Sequence, residues 1–233
     1  MNSDPFYTFL AFVTQDTAIV QGQKKQAIIE RKIQEKKSTL HAQQELLREA
    51  QQQAHDAKKR VDAQELEIKV VRERQRSLKN KLDSAASPKE YFSLESEIKA
   101  VAAELDTHEN KLFELFEVHE SLEKKAGELD FQVVTLRDTV NNDCAQLAQE
   151  LHELQKELED HQGIYDELKH HVNPEMLEKF LSMKEMIENP VVPVEKNACS
   201  ACFTGIPAQD LVAINKHKLV PCKDCFRLLY SAS

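Results

Sequence analysis

Between Pro5 and Pro88 the chain contains no proline, and along this stretch apolar or small residues return at every seventh position: Ile33, Leu40, Leu47, Ala54, Val61, Ile68 and, past Gln75, Leu82. A second row of Ala50, Ala57, Val71 and Leu78 runs beside the first. An α-helix brings residues three and four apart onto one face, so two such rows form a seam that a second helix must cover. The seam is imperfect: Lys36, Gln43, Gln64 and Gln75 stand at seam positions, where polar side chains weaken packing and help to fix register. Asp4-Pro5 suits the start of this helix, a capping side chain followed by proline at the first helical position.

The pattern breaks at 84–87. Ser87 fits an N-cap, Pro88 the first helical position and Glu90 the reciprocal member of a capping box. The second helix carries the stronger seam, through Ile98, Leu105, Leu112, His119, Ala126, Val133, Val140, Leu147, Leu154, His161 and Leu168. Its companion row is Leu94, Val101, His108, Leu115, Leu122, Leu129 and Leu136, which then slips by one residue to Cys144, Leu151, Leu158 and Tyr165. Such a slip locally unwinds a supercoil. The two helical segments are nearly equal in length and neither can bury its stripe alone, so the pattern predicts an antiparallel coiled-coil hairpin over residues 1–172, reversing near 84–87.

Asn173-Pro174 ends the second helix and predicts a short connecting helix within 173–189, with Asn173 as cap and Leu177, Phe180, Leu181 and Ile187 on its apolar face. Asn189-Pro190 ends it in turn. Across 190–233 the character changes: Val191, Val192 and Val194 read as strand, followed by four cysteines in two close pairs. The expected fold class is therefore mainly α, a long two-helix hairpin followed by a short helix and a small β-rich domain.

Charge sharpens the pairing of the helices. Residues 1–86 hold 16 Lys/Arg against 12 Asp/Glu, residues 87–172 hold 8 against 21, and residues 173–233 balance at 7 each. Opposite signs favour joining the two long segments, and the overall charge of −9 disfavours generic nucleic-acid binding. No stretch approaches the roughly 18 apolar residues of a membrane span, and the run from Phe6 to Val13 lacks the basic flank of a secretion signal, so a cytoplasmic protein is expected.

Cys199-Ser-Ala-Cys202 and Cys222-Lys-Asp-Cys225 are separated by 19 residues, the spacing of a four-cysteine zinc site. Two residues between ligands let one tight turn aim both thiolates at the same ion, and two turns close a tetrahedron. A segment of 44 residues is too small to fold on apolar burial alone, whereas zinc supplies on the order of 10–16 kcal/mol of apparent free energy. A redox dithiol would call for a βαβ surround, which the pattern lacks. Four protein ligands leave no open coordination position, so the Zn2+ ion is expected to be structural. His217, between the pairs, reads as a loop residue rather than a ligand.

Other signals are weaker. His152-Glu153 and His119-Glu120 start like a zinc-protease motif, but Lys156 and Glu123 stand where its second histidine belongs. His108, His119 and His161 read as polar layers of the seam, His170-His171 as complements to a helix C-terminus, and Cys144 as a small inner hydrophobe. Gly22, Gly127, Gly163 and Gly205 are isolated, which leaves no phosphate-binding loop. With no nucleophile and base in view, no enzyme is expected. Lys69, Arg72, Arg74, Arg76, Lys79 and Lys81 approach the reversal; they form either a solvated face paired with Glu90, Glu95, Glu97 and Glu104 or a surface for nucleic acid or an acidic protein.

Cys222-Lys-Asp-Cys225-Phe-Arg227-Leu-Leu229-Tyr230 resembles the second knuckle of a bacterial family, Cys-Pro-x-Cys-Gly-Arg-Ile-Leu-Tyr, in which a coiled-coil hairpin precedes a four-cysteine zinc ribbon. Glu90-Tyr91-Phe92-Ser93-Leu94-Glu95-Ser96-Glu97-Ile98 is similar to the stretch after that family's reversal. The resemblance, to the FlgZ/CdsZ-like family and nearer its chlamydial, type III secretion-associated side, spans essentially the whole chain. It implies a non-enzymatic, chaperone-like adaptor whose partners are an RpoN-type sigma factor and components of a secretion or flagellar export apparatus. The alternative, motivated by the basic run before the reversal and by zinc ribbons being common in transcription machinery, is a regulator that binds mRNA or DNA through Arg72, Arg74 and Arg76. This chain departs from the family in placing Phe203 and Phe226 where glycine usually follows the second cysteine. These phenylalanines either pack the small core or form a docking surface.

Overall fold

Ser87 Oγ accepts a hydrogen bond from the Glu90 N–H at 3.2 Å, and the Glu90 carboxylate accepts one from the Ala86 N–H at 3.2 Å. This cap starts a helix at the residue the sequence indicates, except that the carboxylate reaches one residue further back than a standard capping box. The computed structural model describes residues 4–231. The first three residues of the expected hairpin and the last two of the expected ribbon lie outside that range. Helix α1 runs Pro5–Asp83, α2 Pro88–Lys169 and α3 Pro174–Lys184. Asp4 Oδ1 caps α1 through the Phe6 N–H at 3.0 Å, and Asn173 Oδ1 caps α3 through the Glu175 N–H at 2.9 Å.

Contacts group the chain into two compact units, and the division runs through the hairpin: Ile33–Ala145 forms one, and Met1–Lys32 with Gln146–Ser233 the other. In Ile33–Ala145, every predicted seam position of α1 and α2 is at least partly buried, while most positions between them are exposed. Val71, Leu78 and Val101 pack with Leu94, Ile98 and Leu105 near the reversal. Polar seam residues find partners across the pair. Gln64 Nε2 donates to the His108 carbonyl at 3.1 Å and lies 2.7 Å from His108 Nδ1, and Gln43 pairs with Gln132 at 3.4 Å.

In the other unit the start of α1 buries a wider stripe, because more than one element covers it. Phe9, Phe12 and Val13 of α1 meet Val172 and Phe180, with Val191 and Leu228 from the sheet. Phe12 stacks on Tyr165 at 4.5 Å, and its edge meets Phe180 at 5.4 Å. Asp16, which is 4% exposed, is paired with Lys184 of α3; a buried carboxylate persists only with such a partner. The apolar face of α3 differs from expectation at two places, and one is Ile187, which lies past the end of the helix at Lys184. Met176 and Met183 join Leu177 and Phe180 against the core, while Leu181 is turned out at 38% exposure.

The C-terminal segment forms a four-stranded sheet of β1 (Val191–Glu195), β2 (Ala198–Cys199), β3 (Val220–Pro221) and β4 (Leu228–Ser231), in the order β2-β1-β4-β3. The β1–β4 pair is parallel and the two outer pairs antiparallel. Lys196 and Asn197, with φ of 50° and 60°, make the turn between β1 and β2, as a two-residue hairpin of right-handed twist requires. Side chains alternate across the sheet. Val191, Leu228 and Tyr230 join the helical core, whereas Val192, Val194 and Leu229 pack with the cysteines. A further helix, α4 (Ala208–Ile214), lies between the knuckles and buries Ile214; the sequence reading, which expected only short strands there, missed it. Its only local signal is Pro207 ahead of a short run of helix formers.

Candidate metal centre

The two cysteine pairs sit on turns built alike. In the first, the Phe203 N–H donates to the Cys199 carbonyl at 2.8 Å and the Cys199 N–H to the Thr204 carbonyl at 3.0 Å; in the second, the Phe226 N–H donates to the Cys222 carbonyl at 3.1 Å and the Cys222 N–H to the Arg227 carbonyl at 2.8 Å. Each turn ends in a residue with positive φ, 62° at Phe203 and 60° at Phe226. That conformation costs an L-residue about 1–2 kcal/mol, and closing the turn so that both sulfurs point inward requires it here.

The parallel β1–β4 pair brings the two turns together. The four sulfur ligand atoms of Cys199, Cys202, Cys222 and Cys225 all lie within 4.8 Å of one another. Cys199 Sγ is 3.8 Å from Cys225 Sγ, and Cys202 Sγ is 3.6 Å from Cys222 Sγ. No pair is bonded as a disulfide. For metal–sulfur bonds of about 2.3 Å, a tetrahedron has edges of about 3.8 Å. The donor set and its spacing therefore fit one four-coordinate ion.

The environments of the first pair differ. Burial pushes the Cys199 thiol up to about 11. The hydrogen bond from the Thr204 backbone N–H is the main cause that brings Cys202 down to about 6. Asp224 of the second turn accepts from the Thr204 hydroxyl, which ties the two turns together outside the sulfur cluster. Arg227 donates through Nε to the Asn189 carbonyl at 3.0 Å, anchoring the second turn to the segment that leads into β1.

Phe203 and Phe226 do not pack the small core: they are 81% and 67% exposed. The residue after each second cysteine is turned outward by the same positive φ that orients the sulfurs. His217 is not a free loop residue. Its ring stacks on Phe6 at 5.0 Å, Nε2 lies 3.2 Å from the Tyr7 hydroxyl and Nδ1 3.5 Å from Asp4 Oδ2. It fastens the segment between the knuckles to the start of α1. Sequence spacing could not reveal this, because the partners are some 210 residues apart.

The remaining polar candidates fall into structural places. His161 Nδ1 lies 2.6 Å from Gln15 Oε1, and His119 pairs only with Glu123 of its own helix at 3.8 Å. Cys144 is half-buried in the seam beside Asp143. Of the basic run before the reversal, Arg72 pairs with Glu109 at 2.7 Å and Arg74 with Glu104 at 3.5 Å. Glu90 is engaged in the cap and Glu95 with Lys99. No helix among the described residues is long and apolar enough to cross a membrane.

The model of the family described as the CT398-like coiled coil hairpin domain matches residues 13–185. No curated protein matches the chain. Among solved structures, CT398 from Chlamydia trachomatis superposes with a TM-score of 0.84 at 19% identity, covering 98% of both chains. A Mycobacterium smegmatis protein gives 0.77 at 16% identity over 100% of both, and HP0958 from Helicobacter pylori gives 0.58 at 14% identity over 99% of this chain and 98% of that one. At these identities the likeness is one of fold.

Proposed function

The chain belongs to the family of CT398-like coiled-coil hairpin domains, and on that premise we propose that it is a non-enzymatic, cytoplasmic adaptor whose hairpin holds a protein partner and whose ribbon is locked by one structural zinc ion. The observation that carries the adaptor reading is the outer surface of the hairpin. With the seam already satisfied, Leu66, Val70, Phe113 and Phe131 stand outside it at 61%, 61%, 64% and 74% exposure. A two-helix coiled coil needs only its seam for stability. These large apolar side chains contribute nothing to the seam and are open to a protein partner.

Zinc is favoured over other ions by an all-thiolate, tetrahedral donor set. Bound there, it would supply folding free energy and no open position for substrate. The family resemblance names the candidate partners, an RpoN-type sigma factor and proteins of a secretion or export apparatus. The nucleic-acid reading has less support, since Arg72 and Arg74 are already paired with acidic residues of α2.

The test is co-elution of the zinc-loaded full chain with a purified RpoN-type sigma factor and with export-apparatus proteins, with Phe113→Ser and Phe131→Ser as variants. A complex weakened by either substitution supports the reading. No complex with any of these proteins at micromolar concentration overturns it.

A further inference from the structure

The end of the hairpin combines net positive charge with exposed aromatic rings. Residues 76–92 carry Arg76, Lys79, Lys81 and Lys89 against Asp83 and Glu90, in a chain whose overall charge is −9. Among the described residues none of these four cations has an ion-pair partner, whereas Arg72 and Arg74, just before them, are paired. Glu90 is spent on the Ala86 N–H and Glu95 on Lys99. The acidic surplus of α2 therefore stops neutralising α1 nearly three turns short of the reversal.

At the same place two aromatic side chains lie open. Tyr91 and Phe92 are 46% and 67% exposed and meet edge to face at 6.1 Å. They border a shallow depression completed by Ala85, Ala86, Ser87 and Pro88. Small side chains and two aromatic rings line it, so it can receive one apolar side chain.

We propose that this tip is a docking surface for an acidic peptide segment carrying an apolar anchor residue, a proposal that rests on the adaptor reading and assigns it a contact surface. Charge complementarity selects the partner class: four cations without ion-pair partners, on the last two turns of α1 and the first turn of α2 that flank this depression, match a short acidic stretch with one large hydrophobe. A nucleic-acid strand fits less well. It would continue from the tip onto α2, where residues 93–145 carry thirteen acidic side chains against five basic ones, and repulsion there would oppose phosphate.

The experiment measures fluorescence anisotropy of a labelled peptide of Asp and Glu with a central Leu-Phe pair, titrated with the zinc-loaded full chain. The controls are the same peptide with Lys replacing its acids, and labelled oligouridine. The expected result is binding of the acidic peptide alone, weakening with salt, and about ten-fold weaker with Lys79→Glu/Lys81→Glu/Lys89→Glu or with Phe92→Ser. A milder Lys→Gln set at the same positions gives an intermediate loss, and an unchanged far-UV dichroism spectrum shows that the hairpin is intact. No binding, equal binding of the lysine peptide, unaltered binding by the variants, or tighter binding of oligouridine at these residues overturns the proposal. Should a partner complex form while the tip variants leave it and the peptide unaffected, the tip assignment fails and the adaptor reading stands.

Discussion

Lys36 Nζ of α1 lies 2.6 Å from Asp143 Oδ2 of α2 where the α2 companion row slips from Leu136 to Cys144. Asp143 stands at the next regular heptad position after Leu136, beside the Cys144 to which the apolar row slips, and the lysine that interrupts the α1 seam meets it. Two apparent defects, one on each helix, thus form one contact that fixes how the helices are aligned.

Charge reversal tests that contact. Lys36→Glu should lower Tm, and Lys36→Glu/Asp143→Lys should recover most of the loss, as followed by thermal dichroism. The hydrogen bond and charge of Asp143 hold the Lys36 ammonium above its ordinary value. Because the folded pKa is raised, the contribution is complete below the ordinary lysine value and fades only as pH rises through the raised one. The Lys36→Gln penalty should therefore be constant near neutrality and shrink in strong alkali.

Metal content and its removal test the ribbon. Reduced, chelator-free protein should hold one zinc per chain, and Cys222→Ser should lose it. Stripping the ion should melt the sheet, since the metal supplies on the order of 10 kcal/mol or more to a segment of this size. The far-UV helical signal should persist, because the seam of residues 33–145 contains no ligand.

A close approach in the seam tests the packing of the other unit. A Cβ built on Gly22 would stand 2.5 Å from Leu158 Cδ2, so glycine is there for space rather than for backbone freedom. Gly22→Leu should cost about 1–3 kcal/mol by overpacking, and adding Leu158→Ala should return part of it. Chemical denaturation measures both.

The two knuckle phenylalanines make an opposite prediction. Phe203→Gly or Phe226→Gly should stabilise the zinc-loaded ribbon by about 1 kcal/mol, because each removes a strained positive φ and no buried contact. Hydrogen exchange at the Cys199 and Cys222 amides would report it.

Periodicity determined the paired helices and the slip near Cys144, capping residues the reversal at 84–87, and cysteine spacing the grouping of four thiolates, because each depends on residues close in sequence or on a repeat that one helix imposes along its length. The resemblance drawn from the second knuckle and the stretch after the reversal likewise led to the right family. What only the tertiary structure decided depends on residues brought together from far apart. The Asp16–Lys184 pair, the His217 clasp on Phe6 and Tyr7, and the choice of Met183 over Leu181 for the core all follow from which surfaces the sheet and α3 cover. A helix repeats its own pattern locally, but the partner that covers a given face is set by packing between distant segments, and no local spacing encodes that.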